Sequence, residues 1–279
     1  MKYILIILVT PILFLSCSTF NDAMVRVGEL TGNEQLVKAG ADMTPRQEYY
    51  LGRSIAAQVL TENNLVTSME MQTYINALGH YLVLHSDRPH TFKGYKFAVV
   101  EGSSPAAMSA PGGFIFITEG MLRQVRNEEE LAAVMAHEIA HVELKHAESI
   151  IQKQKRTGLA LGLLAEAAKR EFEDDVPAEL FEWGAKGVEA VVNASFDRGQ
   201  EMEADARALE ILKLAGYDPQ ALQTILLRMQ SSANFLSRHP SSDERVRAIY
   251  ERVKDHQPPE VEERRRRSRR LHLYVNSFL

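Results

Sequence analysis

The pentapeptide His137-Glu138-Ile139-Ala140-His141 constrains this chain more than any other segment. It lies in a stretch, Asn127 to His146, whose pattern predicts one helix. Asn127 followed three residues later by Glu130 is a capping box, and Leu131, Val134, Met135 and Ile139 form an apolar stripe at helical spacing. At 3.6 residues per turn, His137 and His141 fall one turn apart on the same face. Two imidazoles so placed can hold one tetrahedral zinc, with Glu138 beside the first to handle the proton of a water. The same spacing also describes two surface histidines on an amphipathic helix, so the pentapeptide alone leaves that reading open.

A second fragment, Arg198 to Asp205, narrows the choice. Catalytic zinc sites usually hold three protein ligands, and two histidines leave one missing. Glu201 and Asp205 are four apart on a helix that continues through Ala208, Leu209, Ile211 and Leu212 and stops at Gly216, with Asp218-Pro219 opening the next. Glu201 can complete the ligand set, and Asp205 can accept the free N–H of a ligating imidazole and fix its orientation.

With these fragments in place the chain resembles the M48 family of zinc metallopeptidases over about residues 45 to 252. Pro111-Gly112-Gly113 and the strand after it are similar to the family's turn ahead of the metal helix, and His239-Pro240 with Arg245 to its late His-Pro and Arg element. One segment departs: Ala106-Ala107-Met108-Ser109 stands where family members often carry Asn-Ala-Phe-Ala. The resemblance implies an α+β, mainly helical, zincin-like domain with a small β-sheet. It implies one zinc ion per chain held by His137, His141 and Glu201, with Glu138 as general base and Asp205 behind the ligands. A protease also needs a donor near the scissile carbonyl, where negative charge develops. His239 and Arg245 are candidates by their match to the late element. The alternatives are that His239 covers the metal in a resting form and that Arg245 is salt-bridged to Glu201 or Asp205.

Organisation follows from composition. Lys2, the apolar run Tyr3 to Leu15, then Ser16 and Cys17 have the layout of a bacterial signal peptide over residues 1–16. Cys17 is the chain's one cysteine and stands where a lipid anchor would be attached. That order predicts a tether over 17–43, the protease domain over 44–256, and a basic tail over 257–279. It also predicts a location on the periplasmic side of a Gram-negative envelope, and resemblance to bacterial lipoproteins implies the outer membrane from Ser18 after the cysteine. A net charge of −5 does not suggest nucleic-acid binding, and no run of 18 apolar residues exists to span a bilayer. The expected substrates are polypeptides, above all misfolded or misassembled envelope proteins. A periplasmic chaperone or assembly factor with a structural or blocked zinc is the alternative.

Smaller expectations concern local structure. Helices are expected from Thr44 to about Leu60 and from Ser68 to Leu84, with His80 and His85 as ordinary histidines. Tyr95–Val100 and Phe114–Thr118 read as strands, the latter as a sheet edge able to pair with a substrate, with a buried central strand as the alternative. Leu159–Ala168 reads as a core helix, and the acidic stretch 171–187 as either a covering segment or a surface loop. Arg264 to Arg270 read as a solvated charge run, with contact to anionic lipid as the alternative, and Leu271–Leu279 as a docking strand.

Overall fold

The computed structural model describes residues 25–26, 29–30, 42–153, 195–230, 239–240, 243–276 and 278–279. The expected signal peptide, Cys17, the core helix at 159–168 and the acidic stretch around Trp183 lie outside them. The chain divides into two units, and every element named below belongs to the one formed by Pro45–Ile151 and Glu182–Leu279.

The elements run α1 (Pro45–Glu62), α2 (Met69–Val83), β1 (Lys96–Val100), β2 (Ala107–Ala110), β3 (Phe114–Thr118), α3 (Glu119–Gln124), α4 (Glu128–Glu143), α5 (Arg198–Leu214), α6 (Gln220–Met229), α7 (Asp243–Val253) and α8 (Val261–Leu271). A single π turn, His272–Asn276, follows α8. The fold is thus mainly helical with a small sheet, as the sequence implied. Among the described residues no helix is long and apolar enough to cross a membrane.

Four helix starts have a local cause. Ser68 caps α2 through Met71 N–H, Thr118 caps α3 through Met121 N–H, and Asp197 with Gln200 forms a full capping box on α5. The box expected at α4 is only half formed. Asn127 accepts from Glu130 N–H at 2.9 Å, but the Glu130 carboxylate takes Arg126 N–H and a bidentate pair from Arg228 instead. The box expected from Ser241 and Glu244 lies outside the described residues. Gly216 (φ 73°) ends α5 where the left-handed conformation is needed, and Tyr217 N–H bonds back to Leu212 O.

The sheet order is β1-β3-β2, with β3 parallel to β1 and antiparallel to β2. This corrects the expectation that Phe114–Thr118 is an edge. Phe114, Ile115, Phe116 and Ile117 are all buried, as a strand paired on both sides must be. The departing segment at 106–109 supplies the short strand that takes the edge. On the opposite edge, α2 closes β1 with side-chain amides. Gln72 donates to Val99 O and accepts Val99 N–H, and Asn76 does the same for Phe97. On β2, Ala106 and Ala110 carbonyls accept from Thr118 and Gly113 N–H. Alternation then turns the N–H and C=O groups of Ala107 and Ser109 away from β3.

The core surrounds α4, where every residue from Glu128 to Val142 is buried. The three glutamates of its first turn each meet an arginine from later in the chain: Glu128 meets Arg270, Glu129 meets Arg267, and Glu130 meets Arg228. Tyr74 and Tyr217 hydroxyls both donate to Glu128 at 2.8 Å. The expected solvated tail is therefore a docked helix: α8 lays Arg267 and Leu271 against the core, and Arg265, Arg266 and Arg269 stay exposed. The expected docking strand at 271–279 is replaced over 272–276 by the π turn, with Val275 buried. A run of arginines reads as solvated only while its partners are invisible, and here those partners are buried carboxylates more than 130 residues away.

Candidate metal centre

Buried packing on α4 fixes where its polar face must go. His137, Glu138 and His141 project from its second half toward α5, and all three are buried. Glu201 and Asp205 meet them from one face of α5, as the four-residue spacing predicts. His137 Nε2 and His141 Nε2 stand 3.0 Å apart. Glu201 is 3.5 Å from each through Oε2 and Oε1, and His239 Nδ1 is 3.3 Å from His137 Nε2 and 3.0 Å from Glu201 Oε1. One atom from each of His137, His141, Glu201 and His239 thus lies within 4.8 Å of the others.

The donor set fits a zinc ion on three grounds. Nitrogens about 2.0–2.1 Å from one tetrahedral zinc are themselves about 3.3 Å apart, close to the separations seen. Two imidazole nitrogens facing each other across 3.0 Å in a buried space call for a cation or a proton between them. Arg245 pairs with Glu201 and Asp205 while Glu138 faces the His239 ring, so three buried carboxylates outnumber the one permanent cation among them, which leaves room for a divalent charge.

Asp205 places Oδ1 3.1 Å from His137 Nδ1. Arg245 takes the salt-bridged arrangement, not that of a free donor at a scissile bond. Its Nε and Nη2 hold both oxygens of Asp205 at 2.7 and 2.8 Å, and Nη1 reaches Glu201 Oε2 at 2.5 Å and Pro240 O at 3.0 Å. His239 takes the covering arrangement. Its Nε2 lies 3.2 Å from Glu138 Oε1 while Nδ1 joins the ligand cage. Among the described residues the other oxygen, Glu138 Oε2, is buried with no hydrogen-bond partner.

Electrostatics follow the geometry. Burial opposes charge on His239, but the carboxylates of Glu201 and Glu138 outweigh it and raise its imidazole to about 10. Burial would raise Glu138, yet His239 and the two ligand histidines bring it down to about 2. Glu201 is likewise depressed, against its burial, by His239, His137 and His141. His141 is pushed down to about 3, chiefly by burial, so its ring stays neutral and one of its two nitrogens keeps a lone pair.

Two contributors escaped the sequence reading. Phe196, just ahead of the Asp197 cap, stacks on the His141 ring at 3.9 Å and 21°. Nothing in the sequence marks it. His146 touches His141 from the far side, five residues on, a spacing that no helical period would pair. His80 and His85 are ordinary, as expected: the first packs edge-on against Phe97, the second contacts Tyr81 O.

Comparison with known proteins agrees with this architecture. The model of peptidase family M48 matches residues 70–253. The beta-barrel assembly-enhancing protease of Escherichia coli (strain K12) is 30% identical over 209 residues, covering 72% of this chain and 41% of that protein. Mitochondrial metalloendopeptidase OMA1 of Schizosaccharomyces pombe is 31% identical over 164 residues, 56% of this chain and 46% of its own. Metalloprotease LoiP of Escherichia coli (strain K12) is 27% identical over 188 residues, 66% and 69% respectively. The chain spans less than half the length of the first two.

Proposed function

The chain belongs to peptidase family M48, and on that premise we propose that it is a zinc-dependent endopeptidase of the bacterial cell envelope that cuts misfolded or misassembled envelope proteins. The observation that carries this reading is the convergence of His137, His141 and Glu201 from two helices on one buried point, with Glu138 beside it. A zinc ion held by those three residues supplies Lewis acidity toward a peptide carbonyl and toward water.

The chain's own groups do the rest. Glu138, its Oε2 unengaged, accepts the proton of the attacking water and passes it to the leaving nitrogen. Asp205, itself gripped by Arg245, holds the His137 ring in place. The main-chain groups of Ala107 and Ser109 turned away from β3 could pair with an extended substrate, a mode that reads backbone and so tolerates varied side chains, once the cover that buries both residues in this state is displaced. His239 occupies the fourth corner of the cage in this state and must swing out for a carbonyl to enter. Anchoring through Cys17 at the periplasmic face of the outer membrane belongs to the same reading. It rests on the residue pattern of 2–17 and is tested by a mobility shift on blocking lipoprotein processing.

The test is Glu138→Gln in the full chain. Zinc content should stay at one per chain while cleavage of an unfolded protein such as casein falls at least about 100-fold, the loss of a positioned base being worth about 10²–10⁴. Retained cleavage defeats the reading. The closure of the cage by His239 favours one second reading, a chaperone or assembly factor whose zinc is blocked. Full rescue of a deletion strain by the Glu138→Gln chain would select it.

A further inference from the structure

His141 has two ring nitrogens, and only one faces the cage. Nε2 is 3.0 Å from His137 Nε2 and 3.5 Å from Glu201 Oε1. On the far side Nδ1 lies 2.9 Å from His146 Nδ1, and His146 Nε2 lies 3.3 Å from Glu203 Oε2. His146 is only 4% exposed, whereas the Glu203 side chain is 68% exposed at the protein surface.

Two ring nitrogens 2.9 Å apart must carry one proton between them, since a pair of N–H groups or a pair of lone pairs would repel. If His141 Nε2 offers its lone pair to a metal, Nδ1 carries that proton and donates it to His146 Nδ1. His146 then carries its own proton on Nε2 and donates to the Glu203 carboxylate. One proton assignment satisfies every contact in the chain. We propose that His146 is a positioning residue which, backed by Glu203, fixes the tautomer and ring orientation of His141 so that Nε2 is presented to the metal. The inference rests on the zinc reading above and extends it to a residue outside the ligand set.

The fold reaches this arrangement by breaking a helix. On a continuous α4 a residue five positions on would point about 140° away from His141. Instead α4 ends at Glu143, Leu144 is its C-cap, and Lys145 takes a left-handed φ of 56°. That conformation costs a non-glycine residue about 1–2 kcal/mol. It is held by Lys145 Nζ on Glu48 Oε1 at 2.9 Å and by Ser149 N–H on Lys145 O. The turn starts a new helical stretch at His146 and folds the His146 ring back beneath His141. Ser149 Oγ donates to His146 O, and Gln200 Nε2 to that same Oγ, tying the stretch to the first turn of α5. Phe196 closes the other face of His141. The two ligand histidines are therefore held differently, His137 by a carboxylate gripped by arginine and His141 by a second imidazole.

The experiment compares zinc affinity, by chelator competition on the full chain, for wild type, His146→Leu, His146→Asn and Glu203→Ala. Thermal melts of the metal-free forms report folding. Loss of an outer hydrogen-bond partner typically costs 10–100-fold in metal affinity, and His146→Leu should fall in that range. Asparagine places a carbonyl near the Nδ1 position and can accept from His141, so His146→Asn should stay within about 3-fold of wild type. In nitrogen-15 spectra of the metal-free protein the proton should sit on His141 Nδ1 in wild type and lose that preference in His146→Leu. Equal affinity for wild type and His146→Leu overturns the proposal, and so does a His146→Asn variant as weak as His146→Leu. Should His146→Leu fail to fold, Glu203→Ala decides, with zinc binding weakened about 3-fold for the proposal and unchanged against it. A wild-type chain that takes up no zinc ends this inference together with the protease reading, whereas wild-type binding with an unaffected leucine variant ends this inference alone.

Discussion

Replacing Arg267 by alanine should destabilise the domain by about 3 kcal/mol. Arg267 and Glu129 are 7% and 6% exposed and meet at 2.9 Å. Removing one partner of a buried pair costs about 3–5 kcal/mol, because the other charge is stranded. Two contacts soften the loss for Glu129. It keeps the Asp218 N–H at 2.8 Å, and it sits in the first turn of α4, where the helix dipole favours negative charge by about 0.5–1 kcal/mol. Two contacts add to the loss: Nη1 donates to Gly216 O at 2.9 Å, and the guanidinium lies 4.1 Å from the centre of the Tyr217 ring, the latter worth about 0.5–1 kcal/mol. Urea unfolding of the full chain should read the net, and the melting temperature should fall by about 6–12 °C for a domain of this size. Arg269, 72% exposed beside Glu262, is the control, and Arg269→Ala should stay within about 0.5 kcal/mol. Glu129→Gln placed on top of Arg267→Ala should recover about half the loss, since a buried neutral amide costs less than a buried charge. A loss below about 1 kcal/mol, or one matched by Arg269→Ala, would mean that residues 261–276 do not brace the metal helix.

Other expectations are independent of that helix. Burial raises the Glu148 carboxyl from 4.5 to about 7, with Glu48 adding to it and Arg88 and Lys145 opposing. The folded form then holds a proton that the unfolded form releases between those values. Its stability is undiminished below pH 4.5 and is lost as pH rises through 7, by about 3 kcal/mol in all. Glu148→Gln should flatten that part of the pH profile of urea midpoints, and parallel profiles would refute the assignment. Gly52 packs α1 onto the turn ahead of β3 so closely that an added Cβ would lie 1.8 Å from Pro111 O. Gly52→Ala should therefore cost at least about 2 kcal/mol in a thermal melt, and a neutral effect would contradict the packing. His239→Ala opens the fourth corner of the cage, so casein cleavage should rise. A fall would restore His239 to the carbonyl-donor role instead.

Much of the site was legible because helices repeat. His137 and His141, and then Glu201 and Asp205, follow from a spacing of four, since the turn length puts such pairs on one face whatever surrounds them. Helix ends at Asn127 and Gly216 were legible because their residues act within three or four positions. The sheet edge was misplaced for the opposite reason. Phe114–Thr118 carries the strongest strand pattern, but which strand is outermost depends on neighbours that the pattern does not encode.

What the sequence determined by itself is therefore the local chemistry: two helices, each carrying paired ligands or carboxylates at one turn's spacing, and a glutamate beside the first histidine. Only the tertiary structure decided that His239 enters the cage, that Arg245 grips Asp205 and Glu201, that His146 backs His141, and that the arginines of α8 close on the first turn of α4. Each of those contacts but one joins residues tens of positions apart, through directions set by packing. The exception, His146, depends on a backbone reversal at Lys145 that no side-chain periodicity records. Helical spacing is a property of the backbone, whereas the partner of a buried charge is settled by whichever surfaces the core brings together.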